Sequence, residues 1–488
     1  MKPSIPSRFA FDVAVVGGGS AGFAAARTTA GAGWRTVVVE GGRELGGLCI
    51  LRGCMPSKAL LWAAEVRHLA RRAEIWGMKR KPVPFEWEKV MARKKSMIRD
   101  FAAYRERQLQ EGKFALIRAC ARFHDPHTLD LGDGRMLTAR HFMVTTGSVV
   151  STPPLPQLND AGFITSDDAL TLRRLPKSLI VLGGGSVAVE LAQLFARFDV
   201  AVTQIQRSKH ILRGADADAA EALEAALRRE GVRLFTDTAL LGAKREGRRK
   251  IVEFEQAGKR RRVAAEEILL ALGRGPNTAA LNLQRAGVET DHGRILTDER
   301  MRTSAPHIFA AGDCTSPHEL VHLAVQQGET AAHNLLHPRR PKAMDYRLLT
   351  QIVFTEPQIA MVGLTEEQAR AAGQRFLVAK YPFHDHGKSL IMDATDGFVK
   401  LLAHPATGEI LGGTCVGPQG GELIHEIVAA MHRRTTVREL AAMPHYHPTL
   451  AEIWTYPAEE LAAQLPAKLA RSGINAAPSR RRFARFDK

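Results

Sequence analysis

Residues 11–40 read FDVAVVGGGSAGFAAARTTAGAGWRTVVVE, and the order of residue types in that stretch decides the fold. Val13–Val16 is a short β-branched run, the pattern of a strand buried on both faces. Glycines follow at once, then the small residues Ala21–Ala30, which read as a helix, then a second apolar run at Thr36–Val39. Strand, glycine turn, helix, strand is a βαβ unit, the building block of a parallel sheet. Gly17, Gly19 and Gly22 have the G-x-G-x-x-G spacing. Such glycines let the backbone turn tightly and approach a pyrophosphate, which sits at the helix N-terminus. Glu40 ends the second strand, 23 positions after Gly17, where its carboxylate can accept hydrogen bonds from ribose hydroxyls. A glycine-rich turn alone would be weak; with the flanking strands and the acid in place, the unit predicts a dinucleotide site.

The unit recurs 166 residues later. Leu179–Leu182 reads as a strand, Val187–Phe198 as a helix and Val200–Ile205 as a second strand. The fingerprint is Gly183-x-Gly185-x-x-Ala188. Its acid slot, again 23 positions on, holds Gln206, followed by Arg207, with Lys209 and Arg213 close behind. A carboxylate there would repel a ribose 2′-phosphate, whereas a guanidinium can hold one through paired hydrogen bonds. The slot therefore predicts NADPH over NADH; the bland alternative is that Arg207 only faces solvent.

Between the units lies Gly46-Gly47-Leu48-Cys49-Ile50-Leu51-Arg52-Gly53-Cys54-Met55-Pro56-Ser57-Lys58. Five residues of ideal helix separate their ends by about 7.5 Å, too far for a disulfide, whose Cα atoms come within about 7 Å. A Cys49–Cys54 bridge therefore needs a distorted turn, which Gly53 permits. Pro56 suits the first turn of a following helix, whose N-terminus would favour a thiolate at Cys54. Metal ligation and two unrelated core cysteines are the rival readings. No second cysteine–histidine cluster nearby completes a zinc site, so a redox pair is the favoured reading and no metal is expected. The other cysteines, Cys120, Cys314 and Cys415, are isolated and read as small buried apolar residues.

Near the C-terminus comes His447-Pro448-Thr449-Leu450-Ala451-Glu452. Pro448 can start a helix, leaving His447 just outside it and Glu452 in its first turns, where a carboxylate can fix an imidazole tautomer and raise its basicity. Dithiol chemistry needs such a base, because only a thiolate attacks sulfur. Alone this is a weak signal among 18 histidines, and His445 reads as a surface or supporting residue.

The chain has 488 residues, 45% of them apolar, which suggests about three domains. The net charge of +17 comes from 68 basic and 51 acidic residues. Its densest groups, Lys244–Arg249 with Lys259–Arg262 and the tail Arg480–Arg482, lack interleaved aromatics. A solvated basic surface is favoured over a nucleic-acid interface. The apolar run Phe9–Ala26 follows Lys2 and Arg8, but Asp12 and the glycines make it a strand entering a phosphate loop rather than a leader. No run of 18 uncharged apolar residues reads as a membrane span. Five cysteines are too few for a disulfide scaffold, and the expected location is the cytoplasm.

Together these segments resemble the pyridine-nucleotide disulfide oxidoreductases, which include dihydrolipoamide dehydrogenase, glutathione reductase and mercuric reductase. The resemblance runs over roughly 10–465. It rests on the Cys-x4-Cys-x-Pro-Ser-Lys box, Thr145-Thr146-Gly147, Gly183–Glu190, Gly273–Asn277, Ala311-Gly312-Asp313 and His447-Pro448-Thr449. It implies an α/β fold with two Rossmann-like dinucleotide-binding domains, for FAD and NAD(P), plus a C-terminal α+β dimerisation domain. The boundaries expected are 10–150 and 281–344 for FAD, 151–280 for NAD(P), 345–465 for dimerisation, and a basic tail at 466–488. Cys49 would be the thiol that meets substrate and Cys54 the flavin-proximal one. Lys58 would lie near the flavin and pair with Glu190, while Thr146, Gly147, Gly273 and Asp313 would line the cofactor sites. His447, backed by Glu452, would act as acid/base on the active site of a second subunit, making the protein a homodimer.

Some residues depart from the family pattern. Leu48 stands where a threonine is usual, Ile50-Leu51-Arg52 replaces an Asn-Val type stretch, and no cysteine follows Glu452. The last point disfavours mercuric reductases and large thioredoxin reductases, which carry a C-terminal pair. The disulfide box looks most like dihydrolipoamide dehydrogenase and the Arg207 slot more like glutathione reductase. A dithiol/disulfide oxidoreductase of the former type is therefore expected, with an NADPH-driven disulfide reductase of glutathione-reductase or mercuric-reductase-like type as the alternative. A flavoprotein without catalysis, binding a partner through its basic surface, is the reading from another class; the retained cysteines and His447 speak against it.

Overall fold

The computed structural model describes residues 9–79 and 82–466. The tail group Arg480–Arg482 lies outside the described residues. The described residues form two compact units, one of 9–349 with 353–356, the other of 350–352 with 357–466.

The first unit is built on β1 (Phe11–Val16), α1 (Ser20–Gly31), β2 (Thr36–Glu40), α2 (Gly47–Arg52), α3 (Cys54–Arg71) and α4 (Trp87–Gln110), followed by β3 (Ala115–Arg118), β4 (Arg122–Asp125), β5 (Thr128–Asp130) and β6 (Met136–Val144). The strands lie in the order β3-β2-β1-β6-β5-β4. β1 pairs in parallel with β2 and β6, while β4 and β5 add an antiparallel edge. Alternate residues of β1 enter opposite cores: Ala14 and Val16 pack with Val37, Val39 and Phe142, whereas Val13 and Val15 pack with Val38, Ala25 and Met143. Burial on both faces is why this strand reads as an unbroken apolar run.

The chain returns to this sheet late, where Ile308–Ala310 pairs in parallel with β6 and the helix Val321–Leu336 packs on α1. That crossing is close: a Cβ on Gly328 would sit 2.3 Å from the Ala21 carbonyl oxygen.

The second βαβ unit forms a four-stranded parallel sheet of Arg233–Phe235, Ala201–Ile205, Ser178–Leu182 and Glu267–Leu270. The basic segments fall on an antiparallel sheet of Thr238–Glu246, Arg249–Gln256 and Lys259–Ala265. Its inner face buries Val252, Phe254 and Val263. On the outer face, glutamates interleave with the cations. Lys244 lies 3.1 Å from Glu246 and 3.7 Å from Glu253, and Arg262 lies 2.6 Å from Glu246. Lys244 and Arg262 are thus locally paired, as on an ordinary solvated hairpin face.

The second unit carries a five-stranded sheet in the order Thr350–Val353, Gln358–Gly363, Ile410–Gly417, Phe398–Ala403, Leu377–Pro382. The last four strands pair antiparallel. Trp454 is fully buried beside it and donates its indole N–H to the Leu423 carbonyl at 3.1 Å.

Two local expectations need correction. Cys314 and Cys415 are buried, but Cys120 is exposed. It sits in the short link between β3 and β4, its sulfur lying 3.6 Å from the Gly41 carbonyl oxygen. Pro448 does not start a helix either: a short 3-10 turn begins only at Ala451 and runs into the helix Thr455–Gln464. Among the described residues, no helix is long and apolar enough to cross a membrane.

Candidate active site

The two glycine loops have the same construction. Gly17 adopts φ +102° and Gly183 φ +122°, in the left-handed region that glycine tolerates. A Cβ at either would strike backbone, Thr145 at 2.5 Å or Ala271 at 2.2 Å. Gly19 and Gly185 are the N-cap residues of their helices, and a Cβ on either would meet nothing within 4 Å. The space over each helix N-terminus is thus open where a phosphate would approach. A Cβ at Gly22 would lie 1.9 Å from the Gly17 carbonyl oxygen, so the first turn closes only on glycine. In the second loop the equivalent Ala188 is accommodated, fully buried.

The residues in the two acid slots also correspond. Glu40 accepts from the Gly18 backbone N–H at 2.7 Å and from that of Gly42 at 2.6 Å. Gln206 lies over Gly184 in the same way, close enough that a Cβ there would come 2.7 Å from its amide carbon. Arg207, Lys209 and Arg213 are exposed, with no ion pair among the described residues.

Three further motifs converge on the first loop. Thr145 donates its hydroxyl to the Gly17 carbonyl at 2.8 Å. Asn277 donates its backbone N–H to the Gly147 carbonyl at 2.9 Å and its side-chain amide to the Thr146 carbonyl at 3.2 Å. Asp313 accepts from the Ser148 hydroxyl at 2.7 Å. Gly273, at φ +109°, leads into the strand Arg274–Pro276, which pairs with Ser148–Val150.

The cysteines occupy a broken helix. α2 carries Cys49 and stops at Arg52, and Cys54 is the first residue of α3. A Cβ on Gly53 would come 2.9 Å from the Leu48 carbonyl oxygen and 3.1 Å from the Cys49 Cα, so the break depends on glycine. Both cysteines are thiols here. The Cys49 thiol hydrogen-bonds the Cys54 sulfur and lowers the Cys54 pKa to about 7, with the Lys58 ammonium as a further cause. The same hydrogen bond, with burial, pushes the Cys49 thiol up. Position at the N-terminus of an 18-residue helix favours a Cys54 thiolate as well.

One turn further along α3, Lys58 donates to Glu190 at 2.8 Å and lies 4.6 Å over the Phe354 ring. The side chain of Glu190 is buried, and its other oxygen accepts from the Phe354 backbone N–H at 2.9 Å.

In the second unit, His447 Nδ1 lies 3.0 Å and 3.2 Å from the two Glu452 oxygens. The imidazole is 77% exposed and Glu452 nearly buried, so the carboxylate can orient the ring while its Nε2 edge stays free to meet a reactant. His445 is not a surface residue: its buried imidazole holds Glu426 at 2.7 Å.

The sequence matches the pyridine nucleotide-disulphide oxidoreductase family over residues 11–328 and that family's dimerisation domain over 349–458. The chain belongs to the pyridine nucleotide-disulphide oxidoreductases. It is 36% identical over 464 residues to a dihydrolipoyl dehydrogenase of Thermus scotoductus, covering 93% of this chain and 98% of that protein. It is 32% identical to a mercuric reductase of Staphylococcus aureus, covering 91% of this chain and 81% of that one. Among solved structures, the flavoprotein disulfide reductase RclA from Escherichia coli superposes with a TM-score of 0.82 at 26% identity. That match covers 92% of this chain and 99% of RclA.

Members of this family use FAD with a nicotinamide nucleotide as electron donor, and this chain is accordingly an oxidoreductase of that kind. The first glycine loop fits a dinucleotide such as FAD: its helix N-terminus is open at Gly19 and closed by backbone at Gly17 and Gly22.

The sequence does not single out Arg105 or His386, and it marks Arg52 only as a departure from the family pattern. Arg105, on α4, stacks over the Phe23 ring at 4.1 Å, and its charge opposes the upward shift of Cys49. Arg52, a departure from the family pattern, lies between Asp167 at 3.4 Å and Glu44 at 3.8 Å. His386 lies against Glu452 at 3.5 Å. Only Arg52 left a signal in the sequence, as an unusual residue inside the cysteine loop.

Proposed function

We propose that this oxidoreductase interconverts a dithiol and a disulfide through Cys49 and Cys54, in the manner of a dihydrolipoyl dehydrogenase, using NADPH by preference. Bound FAD would supply a two-electron carrier between nicotinamide and sulfur. Glu40 and the Gly17–Gly22 turn would hold it, and Asp313, Thr146, Gly147 and Gly273 would line its site.

The observation that carries this reading is the thiol pair itself, with Cys54 at a helix N-terminus beside the Lys58–Glu190 ion pair. His447 takes the proton of the Cys49 thiol, and the resulting thiolate attacks one sulfur of the substrate disulfide. One sulfur–sulfur bond breaks, a mixed disulfide forms, and the departing thiolate takes a proton from His447. Cys54 thiolate then attacks Cys49, closing the Cys49–Cys54 bond and releasing the second substrate sulfur as a thiolate, which takes its proton from water. Two electrons pass from the pair to the substrate, and dihydrolipoamide oxidation runs the same steps backwards. Glu452 holds the His447 imidazolium as the proton moves.

Arg207, Lys209 and Arg213, which follow Gln206, are exposed and have no ion pair among the described residues, and they favour a second reading, an NADPH-driven disulfide reductase. Family membership in the dimerisation domain supports a homodimer in which His447 serves the other copy's cysteines, and a cytoplasmic location suits a thiol pair that must cycle. Steady-state turnover of lipoamide, dihydrolipoamide and glutathione disulfide with each nicotinamide separates the readings. Turnover of dihydrolipoamide supports the first, and turnover of glutathione disulfide alone supports the second. No turnover of any of the three, with FAD bound, overturns both.

A further inference from the structure

Glu452 faces two imidazoles. His447 meets its carboxylate at 3.0 Å, and His386 Nε2 lies 3.5 Å from Oε1. The two rings stand in opposite surroundings. The His447 side chain is 77% exposed, whereas His386 is fully buried. His386 immediately precedes the short helix Gly387–Met392, and its ring meets those of Phe383 and Tyr456 edge-on, each at 6.3 Å.

The other nitrogen of His386 fixes its tautomer. Nδ1 lies 2.8 Å from the hydroxyl of Ser389, itself fully buried. A proton on Nδ1 alone would leave the Nε2 lone pair facing a carboxylate, which is repulsive. If Ser389 donates to Nδ1, the proton lies on Nε2 and faces the Glu452 carboxylate across 3.5 Å, the charged group nearest an Nε2 that closes no hydrogen bond. Burial, the largest influence on this ring, holds the imidazole below its usual pKa against the upward pull of Glu452. The ring is therefore neutral at pH 7. The other titratable groups on this side are Tyr456, whose ring stacks on Tyr381 at 4.0 Å, and Asp385, to which Tyr381 donates at 3.0 Å. Burial and Asp385 push Tyr381 up to about 12, so it stays neutral as well.

We propose that His386 is a positioning residue: its neutral Nε2–H, oriented by Ser389, steadies the Glu452 carboxylate and sets how strongly that carboxylate draws a proton onto His447. The proposal rests on reading His447 as the acid/base. A neutral donor shares the negative charge of Glu452 and so moderates its pull. Without that donor the pull on His447 increases, and the imidazolium persists to higher pH.

The test compares His386→Phe, which keeps an aromatic ring and removes the donor, with His386→Gln, which keeps an N–H near the position of Nε2. The readout is the pH profile of kcat/KM for disulfide reduction by the flavin-loaded dimer. His386→Phe is expected to move the limb governed by His447 to higher pH by about half a unit or more and to lower kcat. His386→Gln is expected to restore most of the wild-type profile. Reduction of the flavin by nicotinamide nucleotide, measured separately, is expected to be unchanged in both. Ser389→Ala frees the tautomer without removing the ring and is expected to shift the limb the same way, which keeps the test open if His386→Phe does not fold.

A wild-type profile in His386→Phe, or an equal shift in His386→Gln, overturns the proposal. If His447→Gln leaves disulfide turnover intact, the acid/base reading itself fails. If His447→Gln abolishes turnover while His386→Phe changes nothing, only the role of His386 fails.

Discussion

Lys58 and Glu190 form an ion pair at 2.8 Å between the helix that begins with Cys54 and the helix that begins at the second glycine loop. The pair is lopsided: Glu190 is buried and Lys58 one-third exposed. Their charges act on Cys54 in opposite directions, Lys58 lowering its pKa and Glu190 raising it. Lys58→Met is therefore expected to move the first ionisation of the thiol pair upward from about pH 7, and Glu190→Gln to move it downward. The pH dependence of iodoacetamide alkylation of the reduced protein measures both. Shifts of the same sign would contradict the electrostatic account.

The glycines of the first loop are expected to fail in different ways. Gly22→Ala places a methyl group against the Gly17 carbonyl, so the turn must open and flavin should be lost on gel filtration. Gly19→Ala finds no protein atom within 4 Å. It should fold with an unchanged apo-protein melting temperature yet bind FAD more weakly, since the methyl group occupies the open phosphate position. Equal melting temperatures and equal flavin content in both variants would contradict this.

Arg207→Ala is expected to raise the KM for NADPH about tenfold, as for one lost charge-assisted hydrogen bond, and to leave that for NADH nearly unchanged. Kinetics with each nucleotide measure the ratio. A wild-type KM for NADH ten times below that for NADPH would overturn the assignment of this slot.

His447→Gln is expected to slow disulfide reduction by about 10²–10⁴-fold, the usual contribution of a general acid/base. Glu452→Gln should cost less, since the imidazole remains and loses only its ionic partner at 3.0 Å. Stopped-flow separation of flavin reduction from disulfide turnover checks that only the second half-reaction slows.

The parts of the molecule legible from sequence are those whose chemistry is local. Gly22 must be small because its own turn closes on Gly17. Cys49, Cys54 and Lys58 lie within ten positions, so their spacing already describes the broken helix. Gln206 was placed by counting from Gly183, and the structure sets it over Gly184 as Glu40 is set over Gly18.

What escaped depends on pairs far apart in the chain. The strand Ile308–Ala310 is three residues long, too short to carry a period, and it joins β6 only through tertiary pairing. Arg105 reaches Phe23 from a helix that otherwise reads as a charged, solvent-facing one. His386 precedes His447 by 61 positions, and nothing around it in sequence signals a carboxylate. Cys120 was misplaced because residue type alone suggested burial, whereas a short link between strands leaves its side chain outside.

Anaerobic titration of the flavin-loaded protein with dithionite tests the redox role of the thiol pair most directly. Uptake of four electrons is expected, two by the Cys49–Cys54 bond and two by the flavin, with both cysteines becoming alkylatable during the titration. Uptake of two electrons alone, with no newly reactive thiols, would show that these sulfurs do not cycle.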